Sequence, residues 1–158
     1  MATESVMFGA GCFWGVEHAF RQVPGVLDAV CGYSGGSTDD PSYEQVCSGA
    51  TGHAEVVHVE FDPSRVSFEK LLETFFGCHK PTELNRQGPD IGTQYRSAIF
   101  YSTEAQREAS EQAKASEDAS GKWNKPVVTE IVAAGPFHRA EEYHQRYFEK
   151  TGRMSCGI

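Results

Sequence analysis

Apolar and polar positions change period several times along the chain, and each change predicts an element. Val6, Met7 and Phe8 form a short apolar run closed by Gly9, as a buried strand does. From Cys12 onward Phe13, Val16, Ala19, Phe20 and Val23 recur at helical spacing until Pro24-Gly25, so a helix starts at or just before Cys12. Val26 to Tyr33 alternates loosely and ends at Gly35-Gly36, which predicts a strand. A turn-rich stretch from Ser37 to Pro41 leads to a short segment around Tyr43 to Cys47. Ala54 to Phe61 reads as another strand, closed by Asp62-Pro63. Ser67 to Cys78 reads as an amphipathic helix with Phe68, Leu71, Leu72, Phe75 and Phe76 on its buried face.

His79 to Tyr95 has two prolines, two glycines and no periodicity, which predicts a long irregular loop of the kind that usually serves function. Ser97 to Tyr101 is a strand. Thr103 and Gln106 have capping-box spacing and open a helix running to Gly121, which carries few large apolar residues and belongs on the surface. Val127 to Ala133 is a further strand, Ala140 to Lys150 a last helix, and residues 151–158 a patternless tail expected to be mobile. Strands alternating with helices, without repeat or linker, predict one domain over residues 1–158. Its class is α+β, a two-layer sandwich of a mixed sheet with helices packed on it.

Composition narrows the function. A chain of 158 residues suits one domain with a real core. A net charge of −8 without any Lys/Arg cluster argues against nucleic acid or an anionic membrane as partner. Neither a cationic leader nor an apolar run of bilayer length is present, so a soluble cytoplasmic monomer is expected. The five cysteines, Cys12, Cys31, Cys47, Cys78 and Cys156, are odd in number and lack zinc or disulfide-framework spacing. Reduced thiols fit better, with room for one redox-active pair.

Candidate chemistry centres on Gly11-Cys12-Phe13-Trp14-Gly15. A thiol at a helix start meets unpaired backbone N–H groups and the positive end of the macrodipole, which favour thiolate. The other reading of Cys12 is a buried structural cysteine. On the predicted strand, Glu55 shares a face with Val57, Val59 and Phe61. A carboxyl there is desolvated and suited to general-acid work, unless it sits at a strand edge and reaches water. Tyr43 and Tyr95 lie in irregular stretches, where their hydroxyls either hydrogen-bond an oxygen of developing charge or merely pack. Phe13 and Trp14 are either core or the walls of a small apolar pocket suited to a methyl group or thioether. None of the six histidines has a readable cysteine partner, and His144 reads as structural or exposed.

Four blocks then resemble one family: Gly11 to Gly15, Gly32 to Gly36, Ser42 to Glu55, and Leu84 to Ser97. All are similar to the A-type peptide methionine sulfoxide reductases, and the resemblance runs from Phe8 through Cys156. It implies a ferredoxin-like core and reduction of the S epimer of methionine sulfoxide, protein-bound and free. It implies Cys12 as nucleophile, Glu55 as the acid, and Tyr43 and Tyr95 as hydrogen-bond donors to the sulfoxide oxygen. Phe13 and Trp14 are implied as the methyl pocket, Asp90 as a polar residue of that pocket, and Cys156 as the resolving cysteine. No bound cofactor is implied. The expected cycle passes through a Cys12 sulfenic acid and a Cys12–Cys156 disulfide, with thioredoxin as external reductant.

Lys80 departs from the acidic or neutral residue expected of relatives in that loop, and with Ile158 as the last residue a two-cysteine cycle is expected rather than a three-cysteine relay. Cys31, Cys47 and Cys78 are read as non-catalytic. Three other functions use parts of the same residues: a thiol peroxidase, a cysteine hydrolase relying on His53 or His144, and a non-enzymatic binder of oxidised peptides.

Overall fold

Two split β-α-β units interlock in the computed structural model, which describes residues 3–152. The first is β1 (Glu4–Ala10), α1 (Phe13–Arg21) and β2 (Val26–Ser34). A loop carrying the short α2 (Tyr43–Cys47) leads to the second, β3 (Ala54–Phe61) and α3 (Phe68–Gly77). After α3 comes a small hairpin, β4 (Arg86–Gln87) with β5 (Asp90–Ile91), then a 3-10 turn at Thr93–Tyr95 and β6 (Ser97–Tyr101). The remainder is α4 (Glu104–Ala119), β7 (Glu130–Ala133), β8 (His138–Arg139), a 3-10 turn at Glu142–His144 and α5 (Tyr147–Thr151). Strand order in the main sheet is β7-β6-β1-β3-β2-β8, antiparallel throughout except for the parallel β6–β7 pair. This is the expected α+β sandwich with a ferredoxin-like centre.

Alternation along the central strands sorts the core into two layers. Val6 and Phe8 of β1 join Val57, Val59 and Phe61 of β3 beneath the helices, together with Phe20 of α1 and Phe75 of α3. Phe8 is the hub: its ring stacks on Phe20 at 4.8 Å and on Phe75 at 5.2 Å between centroids. Met7, Ala54, Val56, Ala98 and Phe100 face the other way and are covered by Val132 and Phe137. Gly32 is needed for that cover, since a Cβ there would lie 2.3 Å from the Phe137 ring.

Three elements depart from the periodicity. Residues 79–95 contain the β4–β5 hairpin rather than a wholly irregular loop. The strand expected from Val127 begins at Glu130, because the preceding amides bond elsewhere: Val127 N to Asp118 Oδ1 at 2.9 Å and Val128 N to Pro81 O at 2.8 Å. The helix expected over 140–150 breaks in two at Arg146, whose φ of 55° is left-handed. Tertiary hydrogen bonds impose the break. Both carboxylate oxygens of Glu17 accept from Arg146 N at 2.9 Å. Gln145 extends its side-chain amide to Cys31 N and O on β2, each at 2.9 Å. Those bonds to buried groups outweigh the loss of one turn of a short helix.

A buried polar chain joins α3 to the sheet. His79 Nδ1 donates to Phe75 O at 2.7 Å, so its Nε2 accepts from Ser97 Oγ at 2.7 Å, and Thr129 Oγ1 donates to Ser97 Oγ at 2.8 Å. Burial pushes this imidazole down from 6.5 to about 4. The unfolded ring takes up its proton near 6.5 and the folded one near 4, so the contribution is complete above the higher value and is lost as pH falls through that window. Urea unfolding at pH 7 and pH 4.5 will therefore show a stability drop that is smaller in His79→Asn than in the parent chain by about 2–3 kcal/mol.

Candidate active site

Cys12 occupies the N-cap position of α1, partly exposed, and its side chain does not cap the helix. That role falls to Glu55: Phe13 N, the first amide of the helix, donates to Glu55 Oε1 at 3.2 Å. Glu55 is 1% exposed, because β3 has β1 on one side and β2 on the other and is not an edge. The geometry thus puts the carboxyl one residue from the thiol, at the positive end of the helix. Gly11 allows a second close approach. Its φ is +93°, and a Cβ there would meet Gln87 Cγ of the β4–β5 hairpin at 2.9 Å.

Two tyrosines converge on the same carboxyl. Tyr43 opens α2, where Ser42 and Gln45 form a capping box, and its amide donates to Glu141 Oε2 at 3.0 Å. Tyr95 closes the 3-10 turn after the hairpin. Burial first, and then the charge of Glu55, pushes both phenols above their ordinary range, so both remain hydrogen-bond donors. Tyr95 also feels Asp90 and Cys12, which places those two groups in the same field. Cys47 enters here unexpectedly: although the residue is exposed overall, its thiol bonds with the side chains of Tyr43 and Tyr95, and the partial desolvation of the sulfur among them raises it.

The two aromatics after Cys12 part company. Phe13 is 1% exposed and packs its ring against His144 at 5.0 Å and Tyr33 at 5.7 Å, so it is core and site wall together. Trp14 is partly exposed and held on two sides. Tyr147 stacks on it at 3.8 Å with the planes 9° apart, and its Nε1 donates to His144 Nδ1 at 3.0 Å. Burial lowers the His144 pKa against the opposing pull of Glu141 and Glu44, which keeps the ring neutral and able to accept. His144 is thus structural, as expected, yet fully buried beside the site and on a 3-10 turn instead of a helix.

Sequence reading missed His144 and Tyr147 as supports of Trp14, and Glu141 as the anchor of Tyr43. A three-residue spacing of two rings, 144 and 147, was the available signal. The hydrolase reading loses its bases. His53 commits Nδ1 to Gly36 N at 3.0 Å and Nε2 to Thr38 O at 2.6 Å, and His144 commits Nδ1 to Trp14. Cys31 is buried on β2, and burial pushes the Cys78 thiol up to about 12. Cys156 lies outside the described residues.

Residues 4–158 match the family described as peptide methionine sulfoxide reductase. The chain belongs to that family. It is 56% identical to peptide methionine sulfoxide reductase MsrA of Methanoculleus marisnigri over 153 residues, 97% of this chain and 93% of the relative. Mxr1 from Saccharomyces cerevisiae in its reduced form superposes with a TM-score of 0.89 at 36% identity, covering 98% of this chain and 88% of that one. Mxr1 in complex with Trx2 superposes with a TM-score of 0.64 at 26% identity, over 92% and 84% of the two chains. As a methionine sulfoxide reductase family member, the protein is an oxidoreductase, and no helix among its described residues is long and apolar enough to cross a membrane.

In this family member, His144→Phe keeps the ring packing and removes the acceptor for Trp14 Nε1. The substitution will lower unfolding free energy by about 1 kcal/mol and raise KM for a sulfoxide substrate more than it lowers kcat, as steady-state kinetics will show.

Proposed function

We propose that this chain reduces the S epimer of methionine sulfoxide, free or within polypeptides, with Cys12 as nucleophile and Glu55 as proton donor. The hydrogen bond from Phe13 N to Glu55 carries the proposal, because it sets a buried acid beside the thiol. Sulfoxide oxygen leaves sulfur only when it gains protons. A thiol that attacks the sulfur and an acid that reaches the oxygen must therefore share one cleft.

The reaction balances simply. Cys12 sulfur bonds to the sulfoxide sulfur while Glu55 delivers a proton to the oxygen, and Tyr43 and Tyr95 donate hydrogen bonds to that oxygen as its charge grows. The oxygen then passes from the methionine sulfur to the Cys12 sulfur as the bond between the two sulfurs breaks; methionine leaves with that bond's electron pair, and Cys12 is left as a sulfenic acid, oxidised as the substrate is reduced. Condensation with the Cys156 thiol expels water and forms a disulfide. An external dithiol then restores both thiols by exchange. Thioredoxin is the reductant we assign, supported by the yeast relative's complex with Trx2.

Trp14 offers the methyl group a flat apolar surface, with Tyr147 and His144 fixing the indole; Asp90, which lines the cavity that opens at Cys12, is assigned as a polar group near the thiol. The S-epimer preference rests on family membership. A peroxidase would use the same two thiols without need of the aromatic wall, so the wall favours the sulfoxide. Reduced thiols also fit a cytoplasmic place of work for this chain acting as a monomer.

Cys12→Ser will abolish methionine release. Cys156→Ser will release about one equivalent of methionine per chain and then stop under thioredoxin; multiple turnovers in that variant would show that another thiol resolves the sulfenic acid. Glu55→Gln will lower the methionine burst rate by about 10²–10⁴-fold. If Glu55 is the acid, the parent rate will fall at high pH and that fall will be absent from the variant; an unchanged high-pH limb would deny Glu55 the role of acid.

A further inference from the structure

Tyr43 and Cys47 are the first and last residues of α2, so they stand four positions apart on one face of its single turn. The Cys47 thiol hydrogen-bonds the Tyr43 side chain and also that of Tyr95, which belongs to the 3-10 turn after the hairpin. One sulfur thus joins the two hydroxyls assigned to the sulfoxide oxygen, from elements that lie far apart in the chain. Its platform is built rather than loose. Gln45 N donates to Ser42 Oγ at 3.2 Å, Ser42 N donates to Gln45 Oε1 at 2.8 Å, Val46 is 1% exposed, and the Tyr43 ring lies 4.5 Å from that of His144. Cys47 itself is exposed overall, so core packing does not require a thiol there.

We propose that Cys47 is a positioning residue for the reductase: its sulfur holds the Tyr43 and Tyr95 hydroxyls together until the sulfoxide oxygen takes both bonds. The inference rests on the reductase reading above and adds to it a group that touches no reacting atom. A phenol O–H rotates about its C–O bond and the side chain swings about its own torsions, so two unanchored donors seldom point at one oxygen together. A shared acceptor removes that freedom before the substrate arrives. Sulfur suits the task because it accepts weakly. The hydroxyls leave it at small cost for an oxygen whose negative charge grows, so the gain falls in the transition state rather than in the substrate complex. A carboxylate in its place would compete with the sulfoxide for both donors. Charge fits as well. Burial, with the charges of Glu55 and Glu44 behind it, raises the Cys47 thiol against the two phenol bonds, so it stays neutral and presents no anion to the sulfoxide oxygen.

The test measures release of N-acetylmethionine from its sulfoxide in a single turnover without reductant, so recycling does not enter. Cys47→Ala will lower the maximal rate about tenfold and leave the half-saturating sulfoxide concentration almost unchanged, the pattern of an interaction felt in the transition state. Cys47→Ser, which keeps an acceptor, will recover most of that rate. In a chain already carrying Tyr43→Phe and Tyr95→Phe, Cys47→Ala will lower the rate no further, because no hydroxyl is left to hold. The same tenfold loss in that background, an unchanged rate in Cys47→Ala alone, or a serine variant as slow as the alanine one would overturn the proposal. So would an alanine variant that is normal in single turnover but slow under thioredoxin, which would make Cys47 a resolving thiol. Failure of the parent to reduce N-acetylmethionine sulfoxide would instead remove the reductase reading on which the proposal stands.

Discussion

The amide of Phe13 donating to the carboxyl of Glu55 is the contact on which the site depends. It joins the start of the first helix to an interior strand and satisfies a helix amide that no capping side chain serves. It also fixes the distance between thiol and acid. Moving Glu55 to an edge strand would hydrate it, and moving α1 along the sheet would separate the two groups. The β3 strand can hold a carboxyl at 1% exposure only because β1 and β2 flank it and the helix N-terminus covers it. The burial of that carboxyl and the pairing of the central strands are one fact seen from two sides.

A second set of polar bonds governs the other half of the pocket. Glu17, 1% exposed on the helix that Cys12 opens, receives Arg146 N, while Gln145 bridges to β2. Burial raises Glu17, partly offset by the Arg146 amide and by Arg21. These bonds pin the segment from which His144 and Tyr147 reach Trp14. The aromatic wall is thus set from the end of the chain, and the thiol and acid from its beginning and middle.

Where burial follows alternation, the chain can be read directly. The strand Ala54–Phe61 and the inward direction of Glu55 come from period two, and the start of α1 at Cys12 comes from a period switch between glycines. The chemistry of Cys12, Tyr43 and Tyr95 was suggested by position, and their convergence follows from long-range pairing that no local pattern contains. Local reading failed where side chains from distant elements capture backbone groups. Arg146 breaks a plausible helix because Glu17 holds its amide, and Val127 and Val128 leave the sheet because Asp118 and Pro81 take theirs. The supporting roles of His144 and Tyr147 depend on that same break, so they were hidden with it.

The placement of the chain's two tryptophans has a practical side. Trp123 lies just beyond α4, bonded to Glu117 at 2.8 Å, whereas Trp14, two residues after Cys12, is stacked on one phenol and bonded to an imidazole. Its indole emission therefore reports on the start of α1, where Cys12 stands. With Trp123 replaced, the molecule carries its own optical gauge of that end of the helix, needing no added label.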